Sequence, residues 1–142
     1  MKKPKAPQLL HSRIQNKTPL SDSQSLRFSF KYLDFTNPKF TCLNCADGYL
    51  EKLLVRLRDI GGYTTKRFRT ERTSALRNHP IRWNETSEPD GFICLNEQLR
   101  QEESWQFGIS ANEHGRIHGF LIDETFYIVW IDPMHRLFPG ES

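Results

Sequence analysis

The chain has 142 residues, of which 37% are hydrophobic and 12% aromatic, with a formal net charge of +3. That length suits one domain with a lean core, or one domain and a tail. No apolar run approaches the roughly eighteen residues of a membrane-spanning helix. The basic N-terminus, MKKPKAPQLLHSRIQ, lacks the apolar stretch of a secretory signal, so a cytoplasmic location is expected.

Residues 1–25 are rich in Pro, Lys, Ser, Gln and Asn and poor in bulky apolar residues, which predicts a flexible basic tail. Residues 26–142 then form a single domain. Leu26, Phe28, Phe30 and Tyr32 alternate with Arg27, Ser29 and Lys31, the pattern of a half-buried strand. After the loop NPKFTCLNCADG, Asp47 is a candidate N-cap for an amphipathic helix carrying Leu50, Leu53, Leu54, Leu57 and Ile60, stopped by Gly61 and Gly62. A second helix is predicted from Thr64 or Thr65 to just before Pro80, anchored only by Phe68, Ala75 and Leu76 and otherwise basic. A short strand near Ile81–Trp83 and a loop around Pro89-Asp90-Gly91 follow. SWQFGIS, GRIHGFLID and TFYIVWIDP then read as three strands with short links, the last two joined by a turn at Asp123-Glu124. The expected fold class is α+β: two N-terminal helices packed on one face of a small antiparallel sheet.

Arg56, Arg58, Lys66, Arg67, Arg69, Arg72, Arg77 and Arg82 stand against only Asp59 and Glu71, and the balance reverses towards the C-terminus. Such a block is the footprint of a polyanion-binding face or, more plainly, a solvated helix face. The cysteines are Cys42, Cys45 and Cys94; with no export signal, reduced thiols are expected. Cys42-x-x-Cys45 is half a zinc site, and neither His79 nor Cys94 has the spacing to complete it.

Strand side chains repeat every two residues, so Arg116 and His118 share a face at one end of the sheet. His135 follows the last strand in DPMHR. RNA cleavage to a 2′,3′-cyclic phosphate needs a proton acceptor for the 2′-OH, charge stabilisation of the phosphorane and a proton for the leaving 5′-oxygen. Histidine suits either transfer and arginine the phosphate, with no metal or other cofactor required. The plainer readings are that His118 bonds a neighbouring strand, that His135 and Asp132 belong to a strand-ending turn, and that Phe126, Tyr127, Trp130 and Phe138 are core.

The sequence from SWQFGIS through EHGRIHGF, the acidic turn and the apolar strand to His135 resembles the RelE/YoeB/ParE superfamily of small bacterial toxins. The resemblance implies a RelE-like domain and an endoribonuclease that cleaves mRNA on the ribosome, held in check by a cognate antitoxin protein, with no membrane partner. Carried over residue by residue, it implies catalytic roles for Arg116 and His135; the chemistry adds His118 as catalytic partner or substrate contact, Arg136 on a second phosphate oxygen, and Lys66, Arg67, Arg69 and Arg72 on the ribosomal or message backbone. The pattern departs at Arg136, where YoeB-like proteins have tyrosine, and at the catalytic glutamate, for which Glu97 lies nearest. These departures favour the alternative, a non-catalytic binder of the same fold that inhibits a nucleic-acid machine or a partner protein.

Overall fold

The computed structural model describes residues 24–42, 45–110 and 114–139. The predicted flexible tail falls almost wholly outside them. The strands are β1 (Arg27–Ser29), β2 (His79–Pro80), β3 (Glu103–Gly108), β4 (Arg116–Ile122) and β5 (Thr125–Asp132); the helices are α1 (Tyr49–Ile60), α2 (Thr65–Thr70) and α3 (Glu97–Arg100). The strands form one five-stranded sheet in the order β1-β5-β4-β3-β2.

This corrects the expected fold. The sheet is mixed: β1 pairs in parallel with β5, while β5, β4, β3 and β2 pair antiparallel. The meander β3-β4-β5 leaves the outer edge of β5 open, and the chain fills it with β1, whose Arg27 N–H donates to Glu124 O at 2.8 Å. A parallel partner needs a long crossover, which everything from α1 to β4 supplies. The pair of long helices expected ahead of the sheet is also absent. The second is a six-residue helix ending at Thr70, although the strand expected ahead of both is present as β1.

Local chemistry explains the short α2. The Thr64 hydroxyl caps its start, accepting from Arg67 N at 3.0 Å. The buried Asn78 amide closes its end, donating to Phe68 O at 2.6 Å and Glu71 O at 3.0 Å. Those bonds satisfy last-turn carbonyls and turn the chain towards β2. Only Phe68 anchors the helix; a fully buried ring of this kind contributes about 2–3 kcal/mol. The strand expected at Ile81–Trp83 lies two residues earlier, and Trp83–Glu85 forms a 3₁₀ turn instead.

α1 buries Tyr49, Leu53, Leu57 and Ile60. Its cap is Gly48 (φ 81°) with no side-chain bond, rather than Asp47, and Leu50 and Leu54 of the predicted stripe face outward. β1 is likewise shorter than the alternation suggested, and Phe30 is exposed.

The sheet separates two cores. α1 and α2 cover one face, where Leu53, Leu57 and Phe68 meet Phe107, Ile117, Leu121 and Ile128. Irregular chain covers the other, where Phe40, Ile81, Phe92 and Leu137 meet Phe120, Val129 and Trp130. Among the described residues, no helix is long and apolar enough to cross a membrane.

Candidate functional site

The β4-β5 hairpin sets Arg116 opposite Asp132 and His118 opposite Trp130. The register then slips between His118 and Gly119, skipping Val129. This bulge turns Val129 and Trp130, consecutive residues, into the same core beside Phe40. Gly119 permits it: a Cβ there would stand 2.1 Å from Tyr127 O. Just before β4, Gly115 (φ 74°) lies so close to β5 that a Cβ would stand 1.9 Å from Asp132 O. Gly115 therefore lets the start of β4 close on the end of β5, and Gly119 lets the middle of β4 close on Tyr127.

At that corner the fully buried His118 and Asp132 meet, Nε2 to Oδ2, at 3.0 Å. An ionised carboxylate only accepts, so Nε2 carries the proton and Nδ1 is the unprotonated nitrogen. Burial drives the His118 pKa down. The Asp132 carboxylate opposes this, and the nearby charges of His135 and Arg116 reinforce it, so the ring is neutral. Burial alone would raise the Asp132 pKa, but His118 and the N–H groups of Arg136 and Leu137 outweigh it and hold the carboxyl below its usual range.

Asp132 also shapes the segment that follows. Its Oδ1 accepts from Arg136 N at 2.7 Å, its Oδ2 from Leu137 N at 3.0 Å, and its backbone oxygen from His135 N at 3.2 Å. His135 sits within this turn at φ 60°, a left-handed conformation uncommon for a residue with a side chain, and is half-buried. Arg136 is exposed; with Lys39, Thr41 and Met134 it lines a groove of about 210 Å³.

The expected pairing of Arg116 and His118 on one face is present, and His135 lies at the same corner. Arg116 is 2% exposed and His118 0%, so neither offers a surface to a macromolecule. Arg116 Nη1 donates to Gly115 O at 3.2 Å, inside the corner. The plainer reading of Asp132 as a turn residue is half of its role; pairing with His118 is the other half. Sequence reasoning missed Gln106, fully buried and opposite His118 in register, whose Nε2 lies 2.9 Å from His79 Nε2. It also missed Lys39. The signal for Gln106 was a polar residue set between Trp105 and Phe107 in the buried half of its strand.

The basic block is not brought to this corner. Lys66, Arg67 and Arg69 lie on α2, on the opposite face of the sheet; Arg56 and Arg58 lie on α1, and Arg72, Arg77 and Arg82 follow α2. Arg69 makes a two-pronged contact with Glu103, at 2.9 and 3.1 Å, and Arg67 pairs with Glu71 at 3.1 Å while covering the Tyr63 ring. Arg72 lies 5.4 Å from the Trp105 ring centroid, and Lys66 is exposed. Glu97 begins α3 and lines a groove with Trp83 and Arg100, not with His135.

Among the described residues the half zinc site gains no third ligand. Cys94 interacts with Asp34, and His79 is engaged by Gln106. Among the described residues, no group of three or more His, Cys, Asp or Glu is placed to hold a metal ion. Protein-family models, curated proteins and solved structures were each compared with the chain, and none matches it significantly.

Proposed function

We propose that the chain is a metal-independent endoribonuclease whose reacting corner is the turn after β5. The observation that carries this reading is that a turn shaped by Asp132 carries, side by side in the chain, the half-buried His135, whose ring nitrogens are buried, and the exposed Arg136. His135, on turning outward the ring whose two nitrogens are buried, accepts the 2′-OH proton, the 2′-oxygen attacks phosphorus, and the 5′-oxygen leaves and takes a proton from water. Arg136, joined by Lys39 when it exchanges its ion pair with Glu88 for the substrate, binds the phosphate in the groove the two line as its charge rises. Arg116, His118 and Asp132 act as positioning residues, because they are too deeply buried to touch RNA. Ribosome-bound message as substrate and a neutralising antitoxin belong to this reading through the sequence resemblance alone.

The test is cleavage of end-labelled RNA by the purified protein in EDTA, alongside primer extension on cellular mRNA after induced expression. His135→Asn is the informative variant, because asparagine tolerates the left-handed backbone. Cuts that leave 2′,3′-cyclic phosphate and vanish in His135→Asn are expected. Cleavage that persists in this variant, or no cleavage in either assay, rejects the assignment.

The second reading is a non-catalytic inhibitor of a nucleic-acid machine or partner protein. The observation favouring it is the burial of Arg116 and His118, together with the use of Arg67 and Arg69 in the chain's own ion pairs. Growth inhibition without any RNA cut, unchanged in His135→Asn, distinguishes it.

A further inference from the structure

α1 presents an apolar strip that none of the other described residues covers. Leu50 is 64% exposed, Leu54 55% and Val55 37%, on the side away from the core formed by Leu53, Leu57 and Ile60. Glu51 and Arg58 flank the centre of this strip about two turns apart, with Leu54 and Val55 between them. Beyond the helix start, the surface continues through Cys45 and Ala46 to the exposed Met134, which share a groove.

We propose that this strip is the seam of a homodimer in which two α1 helices pack antiparallel about a twofold axis near Leu54 and Val55. A twofold contact must be self-complementary. Antiparallel packing about that axis sets Glu51 of one copy against Arg58 of the other, and the symmetry repeats the pair. Leu54 meets Val55 of the second copy across the axis. A parallel arrangement would set like charges side by side, so the charges select both the occupant and its orientation. Among the described residues the Arg58 guanidinium bonds the adjacent Asp59, at 3.0 Å in an exposed pair, which competes weakly with a new partner. One helix pair falls short of the roughly 800 Å² per partner of a standard interface. The seam is therefore weak by itself, and the neighbouring Ala46 and Met134 surface extends it.

Sedimentation equilibrium of the full chain over a wide concentration range reads this out. The mass should rise from monomer to dimer. Leu54→Glu should raise the dimer Kd by roughly 100-fold, and Glu51→Arg and Arg58→Glu each by about tenfold. The double variant Glu51→Arg/Arg58→Glu should return to within about threefold of the starting value, since the pair is restored with its signs exchanged. Near-ultraviolet circular dichroism checks that these surface variants keep the fold. A chain that stays monomeric throughout, a dimer indifferent to Leu54→Glu, or charge reversals that the double variant does not rescue would each overturn the proposal. So would a monomer whose strip is covered by its own residues 1–23, detected as protection of that segment lost in Leu54→Glu.

Discussion

His118 and Asp132 form a sequestered pair, Nε2 to Oδ2 at 3.0 Å, and the same carboxylate holds the N–H groups of Arg136 and Leu137. One side chain thus joins β4 to β5 and fixes the turn that carries His135. Removing it strands three buried or half-buried donors. Asp132→Ala should cost about 3 kcal/mol or more. Asp132→Asn should cost roughly half as much, because its amide oxygen, set where Oδ2 stands, can still accept from His118 Nε2 and Leu137 N, and only the bond from Arg136 N is lost. Chemical denaturation of the three proteins checks the order; equal stability of all three would contradict it.

The pair also makes stability depend on pH. His118 is neutral in the fold, with its pKa lowered by burial, and ionises on unfolding below its ordinary value of about 6.5. The unfolded chain then binds more protons, so stability falls as pH drops through about 6.5 towards the lower folded value. Asp132 acts in the same direction further down. Its contribution is present above its ordinary value of 3.8 and is lost as pH falls through its lower folded value. Thermal midpoints should therefore decline between about pH 7 and 5, and His118→Asn should flatten that decline. An unchanged slope in the variant would remove His118 as its source.

Gly115 is required by contact as well as by conformation. A methyl group at this position meets Asp132 O at 1.9 Å, and the residue holds φ at 74°. Gly115→Ala should destabilise the protein by more than about 3 kcal/mol, since backbone must move. Gly48→Ala is the control, because φ is 81° there but nothing lies within 4 Å. It should cost only the left-handed strain of about 1–2 kcal/mol. Comparable losses in the two would show that crowding at the corner is not the cause.

The hairpin was legible because alternation in GRIHGFLID and the acidic turn are local signals, and the pleat alone put Arg116 and His118 on one face. The pairing of β1 with β5 was not legible, since three residues of strand carry no mark of a distant parallel neighbour. The short α2 was missed for a related reason. Its stop comes from Asn78, a residue whose tertiary bonds to Phe68 and Glu71 leave no periodic trace. The burial of Arg116 and His118 was hidden because Phe40 and Leu137, which cover that face, sit in a segment read as a loop and in the residues after the last predicted strand. Asp132 was legible as the start of a turn, and its second role required knowing what lay across the strand.

The thiols should be slow to react despite two exposed cysteines. Burial and the neighbouring Cys45 push Cys42 up to about 12, and burial and the Asp34 carboxylate push Cys94 up to about 11. The thiolate is the nucleophile, so little of either is reactive at neutral pH. Alkylation by iodoacetamide followed by mass spectrometry should show slow labelling at both positions near pH 7.5 and a steep rise above about pH 10. Asp34→Asn should speed Cys94 and leave Cys42 unchanged. Rapid labelling of both in the native protein at neutral pH would contradict the assignment.

The two sets of cations should respond differently to RNA. Arg136 and Lys39 share a groove at the His135 corner, whereas Arg69 is held by both oxygens of Glu103 on the other side of the sheet. Each phosphate contact removed lowers the salt dependence of binding by about one ion. Arg136→Ala should therefore weaken binding of a single-stranded RNA and reduce the slope of log K against log salt by about one, with little change in stability. Arg69→Ala should leave the slope unchanged and instead lose up to about 1 kcal/mol of stability, the worth of a partly exposed pair. Fluorescence anisotropy across a salt titration, paired with denaturant melts, separates the two. If Arg69→Ala shifts the salt slope and Arg136→Ala does not, RNA lies on the α2 face, and the His135 corner is not where it binds.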